Sequence, residues 1–322
     1  MKFNRRRIVL AASLLALAPL AQAQQFPNKP IKIIYTYAPG GTGDALTRSL
    51  ANAMSGILGQ PVVVENRTGA SGTVGVLAGA RAPADGYTLM LTTITTVVQA
   101  PLVTKDASFD PVKSLAPIAN LSVTPLVLLA HSSVPANDFP SFVEWAHTQA
   151  SGVDMGVAGP TLEVATALLA KETKLKLVNI AYRGAAPALQ ALLAGEVKIF
   201  FNTPTSAIME YIRQGKVRVL GVTSAQPSPL IPGGVPISKF VPGYIQDINF
   251  ALWAPPGTPQ DVVAKLGDAV KKALAEPGMA EKFHNMGTTL NPAGPEEVVR
   301  ITQREAQNIK TIMETTNVKF GE

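Results

Sequence analysis

The chain has 322 residues, 47% hydrophobic and 16% charged, with 26 Gly, 26 Pro, three His, no Cys and a formal charge of +6. Its apolar content excludes a disordered chain, and its length suits two globular domains with a core each. The missing cysteines exclude a disulfide framework, an iron–sulfur site, a zinc ribbon and a catalytic thiol. Three histidines (His131, His147, His284) argue against a His-rich metal centre. The sequence calls for no cofactor.

At the start, Lys2, Arg5, Arg6 and Arg7 form a basic stretch, and Ile8 to Leu20 is an apolar run of 13 residues. Ala21-Gln22-Ala23 then supplies a small-x-small motif, which reads as a cleavable export signal ending after Ala23. An uncleaved amphipathic anchor is the alternative. Asn4 to Val9 also partly matches a twin-arginine signal, so the export route stays open. No apolar run of about 18 residues follows residue 24, and a soluble body in the periplasm is expected. The leader holds four of the cations and no acid, which leaves +2 on the remainder. Without a Lys/Arg cluster there, nucleic-acid binding is not supported.

The remainder reads as two copies of one plan. Ile31 to Tyr35 is a strand, Pro39-Gly40-Gly41-Thr42-Gly43-Asp44 a turn, and Ala45 to Leu58 a helix with Leu46, Leu50, Ala53, Met54 and Ile57 on one side. Strands at 62–65 and 87–91 follow, with a helix running to Arg81 between them. Ala116 to Ala130 and Ile248 to Ala254 read as two long connecting strands. From residue 153 the plan repeats, with strands at 153–157, 177–182, 197–201 and 217–222 and helices between them. The C-terminal part is helical over 261–274, 280–286 and 295–316. Strands alternating with helices predict an α/β protein of two lobes joined by two crossing strands, with a cleft between them. Each lobe would be a mostly parallel sheet flanked by helices. Residues 24–124 with 249–322 form the first lobe in this reading, and 125–248 the second.

In such sheets the loops at the strand carboxyl ends face the ligand crevice. That places residues 38–44, 92–96, 158–161, 182–184 and 202–205 around one cleft. Pro39, Gly40, Gly41 and Thr42 lead into a helix N-terminus, where backbone N–H groups can hold a carboxylate without a cation. The turn is neither a dinucleotide fingerprint nor a phosphate loop, and by itself it reads equally well as a plain connection. Asp44 either caps the helix or fixes the loop. Ala158, Gly159 and Thr161 hold the matching position in the second lobe. Thr93, Thr95 and Thr96, with Thr92, offer hydroxyls, and β-propensity or capping explains part of that run equally well. Arg183, between Tyr182 and Gly184, can grip a carboxylate or pair with an acid of the other lobe. Tyr37 is the favoured aromatic wall, followed by Tyr35, Trp253 and Phe201, the last more simply a core residue. None of the histidines falls at a cleft loop, and no nucleophile elbow occurs. The residues therefore describe a binding protein rather than an enzyme; a periplasmic hydrolase or isomerase is the rival reading.

Several ordered segments carry a family resemblance: Phe26-Pro27-Asn28-Lys29-Pro30-Ile31, Tyr37 to Asp44, Gly59 to Arg67, Ala84 to Leu89, Tyr182 to Leu189 and Ala254 to Pro259. The chain resembles the Bug-type solute-binding receptors of tripartite tricarboxylate transporters. That likeness implies a two-lobe periplasmic binding protein (type II-like, Venus flytrap) closing around a small organic carboxylate held at 39–44 and 158–161, partly through ordered water. It implies membrane permease subunits as partners, with a sensor kinase as the alternative, and a monomeric receptor is expected. Asn202 stands where many relatives carry Asp, Glu163 lies near a common His position, and Thr92 to Thr96 replace a glycine-richer run. A second ligand carboxylate suits Asn202, although a neutral turn cap suits it as well. A dicarboxylate, including an aromatic one such as terephthalate, is the expected ligand; a monocarboxylate such as nicotinate, or an amino acid, is the alternative.

Overall fold

The computed structural model describes residues 26–40, 42–104, 108–158, 160–182 and 185–315. The export signal read at 1–23 lies outside them, as do Gly41, Gly159, Arg183 and Gly184 of the candidate loops. The β-branched run Ile31–Tyr35 forms β1, which pairs in parallel with β2 (Val62–Asn66) and β3 (Thr88–Thr93). Helix α1 (Thr42–Leu58) crosses between β1 and β2, and α2 (Thr73–Ala80) between β2 and β3. α1 begins at Thr42 rather than at the expected Ala45, so half of the glycine turn belongs to its first turn. It buries Leu46, Leu50 and Met54 at a helical spacing. Those side chains share a core with Leu266, Val270 and Ala273 of α8 (Gln260–Leu274).

Three antiparallel strands complete this sheet: β4 (Ala116–Pro125), β10 (Asp247–Ala254) and β11 (Thr289–Ala293), in the order β11-β4-β10-β3-β1-β2. Thr92 and Thr93 extend β3 beyond its expected end because they pair with Ala251 and Phe250 of β10. The second sheet has the order β7-β6-β8-β5-β9. Its strands are β5 (Val127–His131), β6 (Val153–Val157), β7 (Leu177–Ala181), β8 (Ile199–Asn202) and β9 (Val217–Val222). β6 runs parallel to β7 and β8, and β5 is antiparallel to β8 and β9. Each sheet is thus a parallel group widened by antiparallel strands. Helices α4 (Phe139–His147), α5 (Pro160–Thr173), α6 (Ala185–Ala194) and α7 (Ser206–Arg213) accompany the second sheet.

The single long strand expected over Ala116 to Ala130 is two strands in two sheets. Leu126 separates them: its N–H donates to Thr223 Oγ1 (2.8 Å) and its carbonyl accepts from Thr223 N–H (2.9 Å). A side chain and one residue of backbone replace the ladder there, which satisfies a fully buried peptide. Pro125, which has no N–H to give a ladder, marks this break locally, whereas the uniformly apolar run 126–130 does not. Two further elements escaped the sequence reading. Helix α3 (Ile94–Thr104) is built largely from β-branched residues, which favour strands, yet it is buried against α2 and α10 (Pro295–Thr315). β11 is short and irregular in register. α9 (Met279–Asn285) precedes it. No helix among the described residues is long and apolar enough to cross a membrane.

Thr223 also ties the return crossing, since its hydroxyl lies 2.8 Å from Gln246 O and 3.2 Å from Asp247 Oδ1. Burial pushes the Asp247 carboxyl up to about 6, and the neighbouring negative charge of Glu305 adds to this. The Thr223 hydrogen bond and the charge of Arg304 act in the opposite direction. A raised carboxyl contributes stability that is complete below its ordinary value of 3.8 and is lost as pH rises through about 6. Asp247→Asn removes this loss. Relative to the unsubstituted protein, the variant is expected to gain up to about 3 kcal/mol between pH 4 and pH 7.5, read by urea unfolding at both values. A difference independent of pH would refute the account.

Candidate functional site

Around the turn that joins β1 to α1, side chains close the loop on itself. Gly40, at φ 97°, donates its N–H to Asp44 Oδ2 (3.1 Å). The same oxygen takes Arg48 Nε (3.0 Å), and Oδ1 takes Asn66 Nδ2 (2.9 Å). Asn66 also donates to Tyr37 O (3.0 Å) and accepts from Arg48 (2.9 Å). Burial alone would raise the Asp44 carboxyl, but the hydrogen bonds from Arg48, Asn66 and Gly40 hold it below its ordinary value. Asp44, read from the sequence as a helix cap or a loop brace within the 39–44 segment, is 5% exposed, with Oδ2 engaged by Gly40 and Arg48 and Oδ1 by Asn66 of β2. It braces the loop. Gly43 is required for close approach, because a Cβ there would stand 2.7 Å from the Phe250 ring and overlap Tyr35.

Beside this turn the threonines pair with one another. Tyr37 Oη lies 2.6 Å from Thr96 Oγ1, which lies 2.7 Å from Thr93 Oγ1, and Thr96 N–H donates to Thr93 Oγ1 (3.2 Å). Thr36 and Thr92 form a second hydroxyl pair at 2.6 Å. Burial raises the Tyr37 phenol, with Thr96 and Thr93 opposing, so it stays a neutral donor at ordinary pH. The structure therefore brings the hydroxyls of Tyr37, Thr93 and Thr96 together. Thr95 turns away: its hydroxyl donates to Glu305 Oε1 (2.9 Å) on α10.

In the second sheet, Ala158 is half-buried and α5 starts at Pro160, with Thr161 and Glu163 half-buried in its first turn. Burial raises the Glu163 carboxyl. Tyr182 follows β7, donates its N–H to Val157 O (2.8 Å) and packs against the second core. Asn202, buried at the end of β8, accepts the N–H of the next residue, Thr203, at 2.8 Å, and Thr205 caps α7. Trp253, considered as a cleft wall, is 1% exposed and belongs to the core. Phe201 is likewise buried and stacks on Tyr244 at 6.5 Å. Tyr35 is buried against Gly43.

Sequence reasoning missed three contributors. Arg48 stands four residues after Asp44, a helical ion-pair spacing that was readable. Asn66 arrives from β2, and Met286 O accepts the Thr42 hydroxyl (3.1 Å) from 244 residues away; no local pattern announces either. Among the described residues no group of three His, Cys, Asp or Glu stands ready to hold a metal. A groove of about 990 Å³ between β4, α8 and Ala293–Pro295 is lined by none of these loops.

Two sheet-and-helix lobes joined by two crossings are the architecture of a two-lobe binding protein. Residues 46–318 match the family model described as "Tripartite tricarboxylate transporter family receptor", and the chain belongs to that family. A UPF0065 protein of Bordetella bronchiseptica is 31% identical over 98% of this chain and 94% of its own. The solved periplasmic binding protein BugD is 29% identical with a TM-score of 0.73, over 91% of this chain and 99% of that one. An R. palustris protein solved with adipate is 27% identical with a TM-score of 0.76, over 91% of this chain and 99% of its own.

The brace makes the turn sensitive to acid in the opposite sense from Asp247. A depressed carboxyl contributes stability that is present above its ordinary 3.8 and is lost as pH falls through the lower folded value. Asp44→Asn is expected to cost about 2 kcal/mol at pH 7. The deficit should narrow only below pH 3.8, as followed by thermal unfolding across pH. A deficit unchanged at low pH would show that the charge is not what closes the turn.

Proposed function

We propose that the chain is a periplasmic receptor that captures an organic carboxylate, foremost a dicarboxylate, and hands it to the permease subunits of a tripartite tricarboxylate transporter. The observation that carries this reading is the braced turn at the start of α1. Asp44, Arg48 and Asn66 satisfy one another, which fixes the loop at the start of the helix, whose first N–H groups would hold the anion. A carboxylate there would meet Gly40, Gly41 and Thr42, with the Tyr37, Thr93 and Thr96 hydroxyls beside it. Ala158, Gly159 and Thr161 would approach it from the other lobe, 125–248, as that lobe moves against 24–124 and 249–322.

The far end of the cleft would be formed by Tyr182, Arg183, Gly184 and Asn202, with Arg183 the cation best suited to a second carboxylate. Adipate in a solved family relative supports a ligand with an acid at each end. Export would follow cleavage after Ala23. Calorimetric titration with acetate, nicotinate, succinate, adipate, terephthalate and citrate tests the reading. At least one dicarboxylate is expected to bind at micromolar or lower Kd, and Gly40→Val to weaken it at least ten-fold. Absence of binding by every acid in the panel would overturn the proposal.

A further inference from the structure

The turn after α9 touches both lobes at the mouth of the candidate site. It is built rigidly into the first lobe: Phe283 and Met279 are buried in that core, Gly287 N–H donates to His284 O (2.9 Å), and Thr288 N–H donates to Phe283 O (3.1 Å). Thr288 Oγ1 also donates to Val123 O on β4 (3.1 Å). On one side Met286 O accepts the hydroxyl of Thr42 at 3.1 Å. On the other side Gly287 lies against the backbone that follows β8. A Cβ on Gly287 would stand 3.1 Å from Pro204 O and 3.9 Å from Thr205 Cα. Gly287 and Pro204 are both buried there, and Gly287 has φ +77°.

We infer that the Met286–Gly287 turn is a closure catch, a backbone surface on which the second lobe seats through Pro204 when the cleft shuts. Gly287 is suited to it twice over. Its left-handed φ forms the helix end, and its missing side chain lets two main chains meet. Thr42 links the catch to the turn proposed to hold the ligand, so seating of the lobe and grip on the carboxylate are mechanically joined. This deepens the reading in the preceding subsection and rests on it. The catch would set how long a captured acid is retained rather than how quickly it arrives, since seating follows encounter.

The test exploits the absence of cysteine. Spin labels at Lys272→Cys on α8 and Arg213→Cys on α7, both exposed positions, report lobe separation in the full chain without ligand. The unsubstituted turn should show a population at the separation found here, and Gly287→Leu should lose it in favour of longer distances. Gly287→Asn, which tolerates left-handed backbone, separates the wedge from backbone strain and should act the same way if the leucine variant folds poorly. For whichever panel dicarboxylate binds, both variants should release it at least ten-fold faster, with association within two-fold. Unchanged distances in the asparagine variant, or no short-distance population in the parent, would overturn the catch. Failure of the parent to bind any acid would overturn the carboxylate reading and leave the distance result to decide the catch alone.

Discussion

A chain that passes between two sheets must satisfy its backbone at the passage without the help of a ladder, and Thr223 meets that constraint at both crossings. It serves Leu126 with a main-chain and a side-chain hydrogen bond, and it reaches Gln246 and Asp247 with the same hydroxyl. One small side chain thereby substitutes for the neighbouring strand that each passage lacks. The passages are narrow as a result, each confined to one or two peptides. A narrow connection suits two bodies that change their angle, because few torsions need to move.

Charge at this junction is held under tension. Asp247 and Glu305 both carry raised carboxyls through burial, and Arg304 offsets them only in part. Glu305 receives the Thr95 hydroxyl, and α10, on which it sits, packs against α3 in one lobe and α5 in the other. The threonine run at the start of α3 is therefore anchored to a helix that both lobes share. Its hydroxyls look like a row of equivalent donors in the sequence. In the fold they divide, with Thr93 and Thr96 beside Tyr37 and Thr95 committed to the scaffold.

Much of the architecture was legible because it is written in local patterns. The β-branched runs of β1 and β2 and the spacing of Leu46, Leu50 and Met54 need only period and propensity to be read. What stayed hidden depends on distant partners. Leu126 lies within one expected long strand until Thr223 meets it, and residues 92–96 read as a cleft loop until α10 and α2 bury Ile94 to Val98 as a helix. Asp44 shows the same limit at the site. Its position beside a glycine turn left a helix cap and a loop brace equally open, and only Asn66, from another strand, shows it to be the brace.

The glycine turn then poses an electrostatic question, since it sets a buried carboxylate next to the place proposed for an anion. The arrangement is workable because Asp44 is not a free charge. Arg48 returns a positive charge to it at 3.0 Å, and its lone pairs point into Gly40 and Asn66 rather than outward. Locally the pair is neutral, and the field felt by a ligand comes from the peptide dipoles of α1 with little opposition. An anchor of this kind would grip through geometry, because amides held in place by the brace would lose little entropy when an acid arrives. Close approach of main chain to main chain recurs where Gly287 admits Pro204. Selectivity would then arise where side chains remain, at Asn202 and Glu163 in the second lobe, and the first lobe could stay constant while the ligand changes.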